Sequence, residues 1–132
     1  MDTDDFCLKQ NKVFKDKRGI LHECFNIGGE YGDVPSGGHF YALTIEPKHS
    51  RGNHFHKNKL EWFLCLKGEV RIVLKDEESL FENEIIIKGM DGKVIQIPPL
   101  IRHTLYNDKD ENAIIVSYGS IPFNSDQPDT YS

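Results

Sequence analysis

The sequence has no long apolar run, no basic cluster and few cysteines, and each absence excludes a class of protein. No stretch approaches the roughly 20 apolar residues of a membrane-spanning helix, and the first ten residues are acidic where a signal peptide would be basic and then apolar. The 16 Lys and Arg are scattered and outnumbered by 21 Asp and Glu, giving a net charge of −5, which disfavours nucleic acid as a partner. The three cysteines show no CxxC spacing, as is typical of a reducing compartment. We therefore expect a cytoplasmic protein that binds neither membrane nor nucleic acid.

The sequence also has no apolar repeat of 3.6 residues long enough for a substantial helix. It consists instead of many short alternating stretches separated by polar turns, which is typical of a β-sandwich or barrel. A length of 132 residues suits one domain. We predict a single all-β domain over residues 1–132, with residues 1–10 as a loose start and residues 121–132 as a C-terminal strap.

Three further stretches carry predictions about local structure. Residues 12–14 and 20–26 read as the two strands of a hairpin. Residues 28–38 hold five glycines and a proline, and we expect a loop there, either beside the functional site, at a subunit contact or simply on the surface. Residues 61–66 are apolar on both faces of a strand, so they need a second covering layer, from the other sheet or from a second subunit. Together with the strap, this strand predicts a homodimer.

The stretch 51–68 carries the strongest chemical signal. His54 and His56 stand two positions apart, so in an extended strand both rings leave the same face. Glu61 follows His56 by five positions, and the polar residues 57–59 allow the turn that brings its carboxylate back to the imidazoles. Two imidazoles and one carboxylate form most of a site for zinc, nickel or iron.

A fourth ligand is expected from the stretch 92–107. There an apolar strand ends at two prolines, and His103 then points to the same side as Leu105 and Asn107. The competing interpretation is that these are ordinary strand histidines, satisfied by hydrogen bonds to the backbone. Two separate motifs in this order favour the metal site.

These stretches resemble the two conserved motifs of the cupin superfamily. The first motif is matched at His54, His56, Glu61 and Gly68, and the second is matched at the four positions Gly92, Pro98, His103 and Asn107. Two positions depart from the pattern, because Leu100 and Lys48 stand where the family has glycine. The resemblance implies a cupin barrel, a double-stranded β-helix or jelly roll, that holds a divalent ion. Zinc is the expected ion, and nickel, iron or manganese are also compatible.

From about residue 14 to residue 131 the chain resembles the sugar-epimerase-like cupins of surface-polysaccharide biosynthesis, above all CapF-like C-terminal cupin domains. Residues 16–21, residues 51–56, residues 97–99 and the closing Pro128-Asp129-Thr130-Tyr131 carry this resemblance. Residues 51–54 are also similar to the dTDP-4-dehydrorhamnose 3,5-epimerases. The resemblance implies action on a nucleotide-diphosphate sugar, a 4-keto-6-deoxy sugar inverted beside its ketone, with a separate reductase acting downstream.

Proton transfer in such a reaction needs groups other than the metal ligands, because a metal-bound imidazole cannot also shuttle protons. Lys59 lies inside the first motif, Tyr106 lies close to His103, and His39 precedes Tyr41 on one strand face. We predict Lys59, Tyr106 and His39 as catalytic candidates. Lys59 as a solvated turn residue and Tyr106 as a packed barrel residue are the alternatives.

Substrate contacts are expected from two arginines and two tyrosines. Arg51 and Arg102 flank the ligand histidines and suit bidentate binding of a diphosphate, unless they pair with the excess of acidic side chains. Tyr41 and Tyr131 are the further candidates.

Three other functions remain open from the sequence. A 3,4-ketoisomerase shares the first proton abstraction but returns the proton to a different carbon. A non-catalytic module would bind metal and sugar without chemistry. An iron dioxygenase is compatible with the ligands, although nothing in the chain specifies an oxidisable substrate.

Overall fold

The computed structural model describes residues 2–132. Over this range the chain forms eleven strands and one single-turn 3-10 helix, Thr3–Phe6. The strands are β1 (Cys7–Gln10), β2 (Val13–Asp16), β3 (Gly19–His22), β4 (His39–Ile45), β5 (Ser50–His54), β6 (Glu61–Lys67), β7 (Glu69–Asp76), β8 (Glu82–Lys88), β9 (Lys93–Ile97), β10 (Ile101–Tyr106) and β11 (Ala113–Gly119). The all-β prediction is confirmed. No helix within residues 2–132 is long and apolar enough to cross a membrane.

Two antiparallel sheets build the barrel. One has the order β1-β9-β6-β11-β4, and the other has the order β5-β10-β7-β8. Because side chains alternate along each strand, every strand sends one set of residues between the sheets. These inward side chains form the main core, which includes Ile72 and Leu74 from β7 and Phe63 and Cys65 from β6. This is the jelly-roll arrangement of a cupin, as predicted.

The outer face of β6 is covered by the chain itself. Trp62 and Leu64 pack in a second apolar cluster with Val34, and Phe25 lies against the same cluster. The hydroxyl of Tyr118 accepts a hydrogen bond from the amide of Gly38 (2.8 Å) and donates one to a carbonyl oxygen of the same loop (2.6 Å).

The glycine-rich loop therefore serves as the second layer. Our expectation that it lies beside the site is not met, because Val34 packs on the far side of the sheet from the cavity. A subunit contact at this loop stays a prediction. Because residues of the same chain cover the outer face of β6, this strand no longer argues for a second subunit. The homodimer stays a prediction.

Residues 2–10 are not loose, so that prediction was wrong for them, and Met1 lies outside the described residues. Phe6 is only 1 % exposed, and its ring stacks on Phe81 at 5.9 Å between centroids. The strand β1 then pairs with β9 at the edge of the five-stranded sheet. Burial of one large aromatic ring, worth roughly 2 to 3 kcal/mol, is enough to fix a short segment that looks patternless in sequence.

The predicted hairpin is formed by β2 and β3, which pair with each other as a separate two-stranded sheet. Its second strand ends at His22 rather than at Asn26. The chain leaves the hairpin early because Cys24 and Phe25 pack against the outer cluster instead.

Lys48 and Leu100, which stand where the family has glycine, keep the turn geometry that glycine would give. Lys48 has φ +64° and Leu100 has φ +70°, both in the left-handed region. A residue with a side chain in this region costs about 1–2 kcal/mol. Hydrogen bonds hold Leu100 in place, since its amide donates to His56 O (2.7 Å) and its carbonyl accepts from Glu77 N (3.0 Å).

Candidate metal and substrate site

Four side chains from three strands and a loop meet inside one end of the barrel. His54 ends β5, His56 follows it, Glu61 begins β6 and His103 lies in β10. One donor atom from each residue lies within 4.8 Å of all the others. His103 and His54 are direct partners in the pairing of β10 with β5. The structure thus brings together the four residues that the sequence predicts as ligands, and binding of a metal there stays a prediction.

A glycine allows the two histidine strands to approach. Gly52 in β5 has φ +95°, and a Cβ atom added to it would lie 2.8 Å from the carbonyl oxygen of His103. The pairing register shifts at this point, between His103 and Thr104. Any side chain at position 52 would therefore push β10 away from β5 at His103, one of the predicted ligands.

Backbone carbonyls orient two of the imidazoles. His56 Nδ1 lies 2.7 Å from the carbonyl oxygen of Asp129, and His103 Nδ1 lies 3.0 Å from that of Ile101. A carbonyl only accepts hydrogen bonds, so each Nδ1 carries the proton and each Nε2 turns inward. Metal-binding histidines are commonly held in this way.

The inward atoms surround a point that suits a cation. Glu61 Oε1 lies 2.5 Å from His56 Nε2 and 3.2 Å from His103 Nε2. His103 Nε2 is buried and has no hydrogen-bond partner among the described residues. Three imidazoles and one carboxylate, with a buried nitrogen left unpaired, fit a divalent ion of the zinc, nickel or iron type.

The electrostatics of the cluster favour the protonation states that a metal needs. Burial alone would raise the pKa of Glu61, but the imidazoles of His103 and His56 beside it hold that pKa well below its usual range. Burial, together with the charges of the other two histidines, lowers the pKa of His54 to about 4. At neutral pH the carboxylate is therefore charged and the His54 ring is neutral, as in a ligand.

Tyr41 orients the carboxylate from the other side. Its hydroxyl donates a hydrogen bond to Glu61 Oε2 at 2.5 Å, which leaves Oε1 facing the histidines. Burial, followed by the negative charge of Glu61, raises the pKa of Tyr41, so the hydroxyl stays protonated. Tyr41, predicted to bind substrate, thus orients the Glu61 carboxylate and also lines the cavity.

A cavity of about 200 Å³ opens beside the cluster. Arg51 lies on its wall, and the Nε of this arginine donates to the carbonyl of Thr44 at 2.8 Å. The lining residues are Tyr41, Leu43, Arg51, Gly52, His54, Glu61, Phe63, His103 and Leu105. An apolar wall with a few convergent polar groups is typical of a small-molecule site.

Two of the predicted catalytic residues lie near the cavity without lining it. The ring of His39 lies 5.0 Å from that of Tyr41, centroid to centroid. Lys59 is near enough for its charge to contribute to the lowered pKa of His54. Both remain candidates on the basis of position.

Tyr106 is not brought to the cavity. It follows His103 by three positions, so strand alternation turns it to the opposite face of β10, where the guanidinium of Arg71 lies 4.5 Å above its ring. The prediction of Tyr106 as a catalytic residue was therefore wrong about its face, because nearness to His103 in sequence does not bring residues at an odd offset to the same side of a strand.

Arg102 and Tyr131 also lie outside the cavity. Arg102 Nε donates to Glu77 Oε1 at 2.5 Å, and the guanidinium lies 5.2 Å from the ring of Phe55. The ring of Tyr131 stacks on the same Phe55 at 5.6 Å. Of the four predicted substrate contacts, Tyr41 and Arg51 line the cavity.

Asp129 contacts the cluster although no pattern in the sequence singled it out. Its carbonyl accepts from His56, and its carboxylate accepts from backbone amides of residues 57–59. The only signal was the closing peptide 128–131, which carried family resemblance but no chemical role.

The family model for the polysaccharide biosynthesis C-terminal domain matches residues 14–131. Over 95 residues the chain is 27 % identical to the UDP-2-acetamido-2,6-beta-L-arabino-hexul-4-ose reductase of Pseudomonas aeruginosa, covering 72 % of this chain and 26 % of that protein. The chain therefore spans about a quarter of the length of this curated relative.

Two solved structures share the fold. The capsular polysaccharide assembling protein CapF from Staphylococcus aureus is 26 % identical with a TM-score of 0.70, and the match covers 92 % of this chain and 33 % of CapF. The 3,4-ketoisomerase QdtA from Thermoanaerobacterium thermosaccharolyticum, in complex with TDP-4-keto-6-deoxyglucose, is 22 % identical with a TM-score of 0.71. That match covers 92 % of this chain and 82 % of QdtA.

Proposed function

Because the chain belongs to the polysaccharide biosynthesis C-terminal domain family, we propose that it is a metal-dependent epimerase of a nucleotide-linked 4-keto-6-deoxy sugar. One observation carries the proposal. Three of the four clustered ligands, His54, Glu61 and His103, also line the cavity of about 200 Å³, so a small molecule in that cavity would contact the metal centre directly.

His54, His56, Glu61 and His103 would hold the metal. When bound, a divalent ion supplies a Lewis acid that makes a proton next to a ketone easier to remove. Tyr41 contributes by fixing the Glu61 carboxylate. Leu43, which lines the same cavity with Phe63 and Leu105, helps to exclude water from the reacting centre.

Recognition of the nucleotide diphosphate falls to Arg51. Its Nε is occupied by the carbonyl of Thr44, which fixes the guanidinium plane on the cavity wall and leaves the two terminal nitrogens to donate. Two parallel donors suit a phosphate bidentately. Arg102 is committed to Glu77 and is not needed in this role.

Inversion of a carbon requires one group to remove the proton and another to return a proton from the opposite face. We assign these two roles to His39 and Lys59, the candidates that remain near the cavity. Tyr41 keeps its proton because of its raised pKa, so it is a poor base and serves as a donor.

A 3,4-ketoisomerase is the second candidate, and one observation favours it. The chain shares its fold with the 3,4-ketoisomerase QdtA, whose solved structure holds TDP-4-keto-6-deoxyglucose, a nucleotide-linked sugar of the proposed substrate class. Both reactions begin with removal of a proton beside the ketone, and they differ in the carbon that receives it. For the epimerase, a reductase would act on the product.

The test is exchange of solvent deuterium into a panel of UDP- and dTDP-linked 4-keto-6-deoxy sugars, followed by NMR with metal-loaded protein. We expect exchange at one carbon next to the ketone with the wild-type chain and none with His54→Ala. His49→Ala, an exposed histidine outside the cluster, is the matched control and should exchange normally. Binding without exchange across the panel would favour the non-catalytic module and overturn the epimerase proposal.

A further inference from the structure

Asp129 caps the loop that carries the second ligand histidine. One carboxylate oxygen accepts the amide of Lys57 at 3.0 Å, and the other accepts the amides of Asn58 (2.9 Å) and Lys59 (3.1 Å). Three consecutive amides donate to one carboxylate, and hydrogen bonds to a charged acceptor are stronger than neutral ones. The carboxylate therefore fixes the backbone that joins His56 to Glu61.

The same residue also holds the His56 ring. Its carbonyl oxygen accepts the Nδ1 proton of His56 at 2.7 Å, so that Nε2 faces Glu61. Asp129 reaches both positions with φ +51°, a left-handed conformation that is strained for a residue with a side chain. Strain of this kind persists only where surrounding contacts hold it in place.

Those contacts come from the neighbouring residues of the tail. Phe55 and Tyr131 exchange two backbone hydrogen bonds of 3.0 Å each, and their rings stack. The ammonium of Lys57 lies 4.2 Å from the ring of Tyr131. Most of the tail is exposed and irregular, and Asp129 is the residue in it that is partly buried.

We infer that residues 128–131 form a C-terminal clasp that positions His56 in the metal centre, with Asp129 as its positioning residue. The clasp lies more than 70 positions from the histidine along the sequence, so metal affinity would depend on a tail outside the barrel. This inference rests on the proposed metal centre. It adds that the centre is complete only when the tail is docked.

The test is Co²⁺ affinity, measured on the full chain by competition with a chromophoric chelator. Loss of a group that orients a ligand commonly weakens metal binding 10- to 100-fold, and we expect a loss in that range for Asp129→Ala. Asp126→Ala, in the same exposed tail but without a contact to the loop, is the matched control and should bind as the wild type does. The Co²⁺ absorption spectrum at saturation should change for Asp129→Ala, because without the carboxylate the tail is no longer anchored to the loop and the carbonyl of residue 129 no longer holds the His56 ring in place.

A conservative variant separates positioning from folding. Both variants keep the backbone carbonyl of residue 129, but Asp129→Asn also keeps one side-chain acceptor oxygen for the amides of the loop. We therefore expect an affinity between those of the wild type and the alanine variant, with the near-ultraviolet circular dichroism of the folded barrel retained. Wild-type affinity and spectrum in Asp129→Ala would overturn the clasp. If Asp129→Ala fails to fold, Asp129→Asn becomes the test, and wild-type affinity in that variant would overturn the clasp. A wild-type chain that binds no Co²⁺ would overturn the metal centre itself, and the clasp with it.

Discussion

Tyr41 donates a hydrogen bond of 2.5 Å to one carboxylate oxygen of Glu61 and leaves the other oxygen to face the histidines. Oε2 accepts from the tyrosine, while Oε1 lies 2.5 Å from His56 Nε2 and 3.2 Å from His103 Nε2. A buried carboxylate with both oxygens in use can take few orientations. The tyrosine therefore decides which oxygen would meet a metal ion.

Removing the tyrosine hydroxyl should weaken the site without unfolding the barrel. For Tyr41→Phe we expect about a tenfold loss of metal affinity, because the carboxylate loses the donor that orients it, and a loss of about 1 kcal/mol in the free energy of unfolding. Chelator competition and urea unfolding measure the two effects. Tyr31→Phe, at a tyrosine that is 84 % exposed, should change neither. Unchanged metal affinity in Tyr41→Phe would contradict the orienting role.

Gly52 should tolerate no side chain, for a reason specific to its place. Gly29 and Gly52 both have positive φ, but a Cβ at Gly29 meets nothing within 4 Å, whereas one at Gly52 meets the carbonyl of His103 at 2.8 Å. We expect Gly29→Ala to cost about 1 kcal/mol from backbone strain alone, and Gly52→Ala to cost about 2–3 kcal/mol because overpacking adds to the strain. Urea unfolding of the two variants measures the difference. Equal costs would mean that β5 and β10 are not held at this close approach.

The metal-free protein should lose stability as the pH falls from about 6.5 to about 4. The pKa of His54 is near 6.5 when the chain is unfolded and about 4 when it is folded, so across this window the unfolded state binds the extra proton and stability rises with pH. Glu61 adds to this loss at the acidic end of the window and below it. Its pKa is lowered from the unfolded value of 4.5, so the stability that it gives is present above pH 4.5 and is lost at more acidic pH. Urea unfolding with chelator present, as a function of pH, measures the slope.

A variant at His54 tests whether this residue causes the change of stability with pH. His54→Asn should flatten the change between pH 4 and 6.5, whereas His49→Asn, at an exposed histidine, should leave it intact. The same slope in both variants would show that another group is responsible.

Metal should stabilise the fold by mass action. At a free concentration 100 times the dissociation constant, an ion that binds only the folded chain adds about 2.7 kcal/mol to the free energy of unfolding. We expect this gain for the wild-type chain on adding Zn²⁺ after chelation. His103→Ala should show little of it, since His103 is buried among the ligands. Calorimetric unfolding with and without Zn²⁺ measures this gain in stability. An equal gain in both proteins would mean that the ion binds elsewhere.

Three members of the ligand cluster could be predicted because their geometry is local, whereas His103, from a distant strand, was predicted because its stretch resembles the second cupin motif. The two-residue spacing of His54 and His56, and the turn before Glu61, fix which side chains can meet, and the structure brings them together. The same counting of positions, applied to Tyr106, would have excluded it, since an odd offset from His103 puts it on the other face.

The remaining features depend on contacts between distant parts of the chain, which a single sequence does not encode in any local pattern. Phe6 fills the core from a segment without periodicity. Val34 covers the outer face of β6 from a loop that looks like a linker. Asp129 reaches the amides of residues 57–59 from a tail that has no regular structure.

The most direct test of the account is the metal content of the purified chain. Elemental analysis after loading with Zn²⁺ and removal of free ion should give one ion per wild-type chain, and close to none for the double variant His54→Ala/His103→Ala with its near-ultraviolet circular dichroism intact. A wild-type chain that retains no ion, or a double variant that retains as much as the wild type, would contradict the claim that His54, His56, Glu61 and His103 form a metal centre.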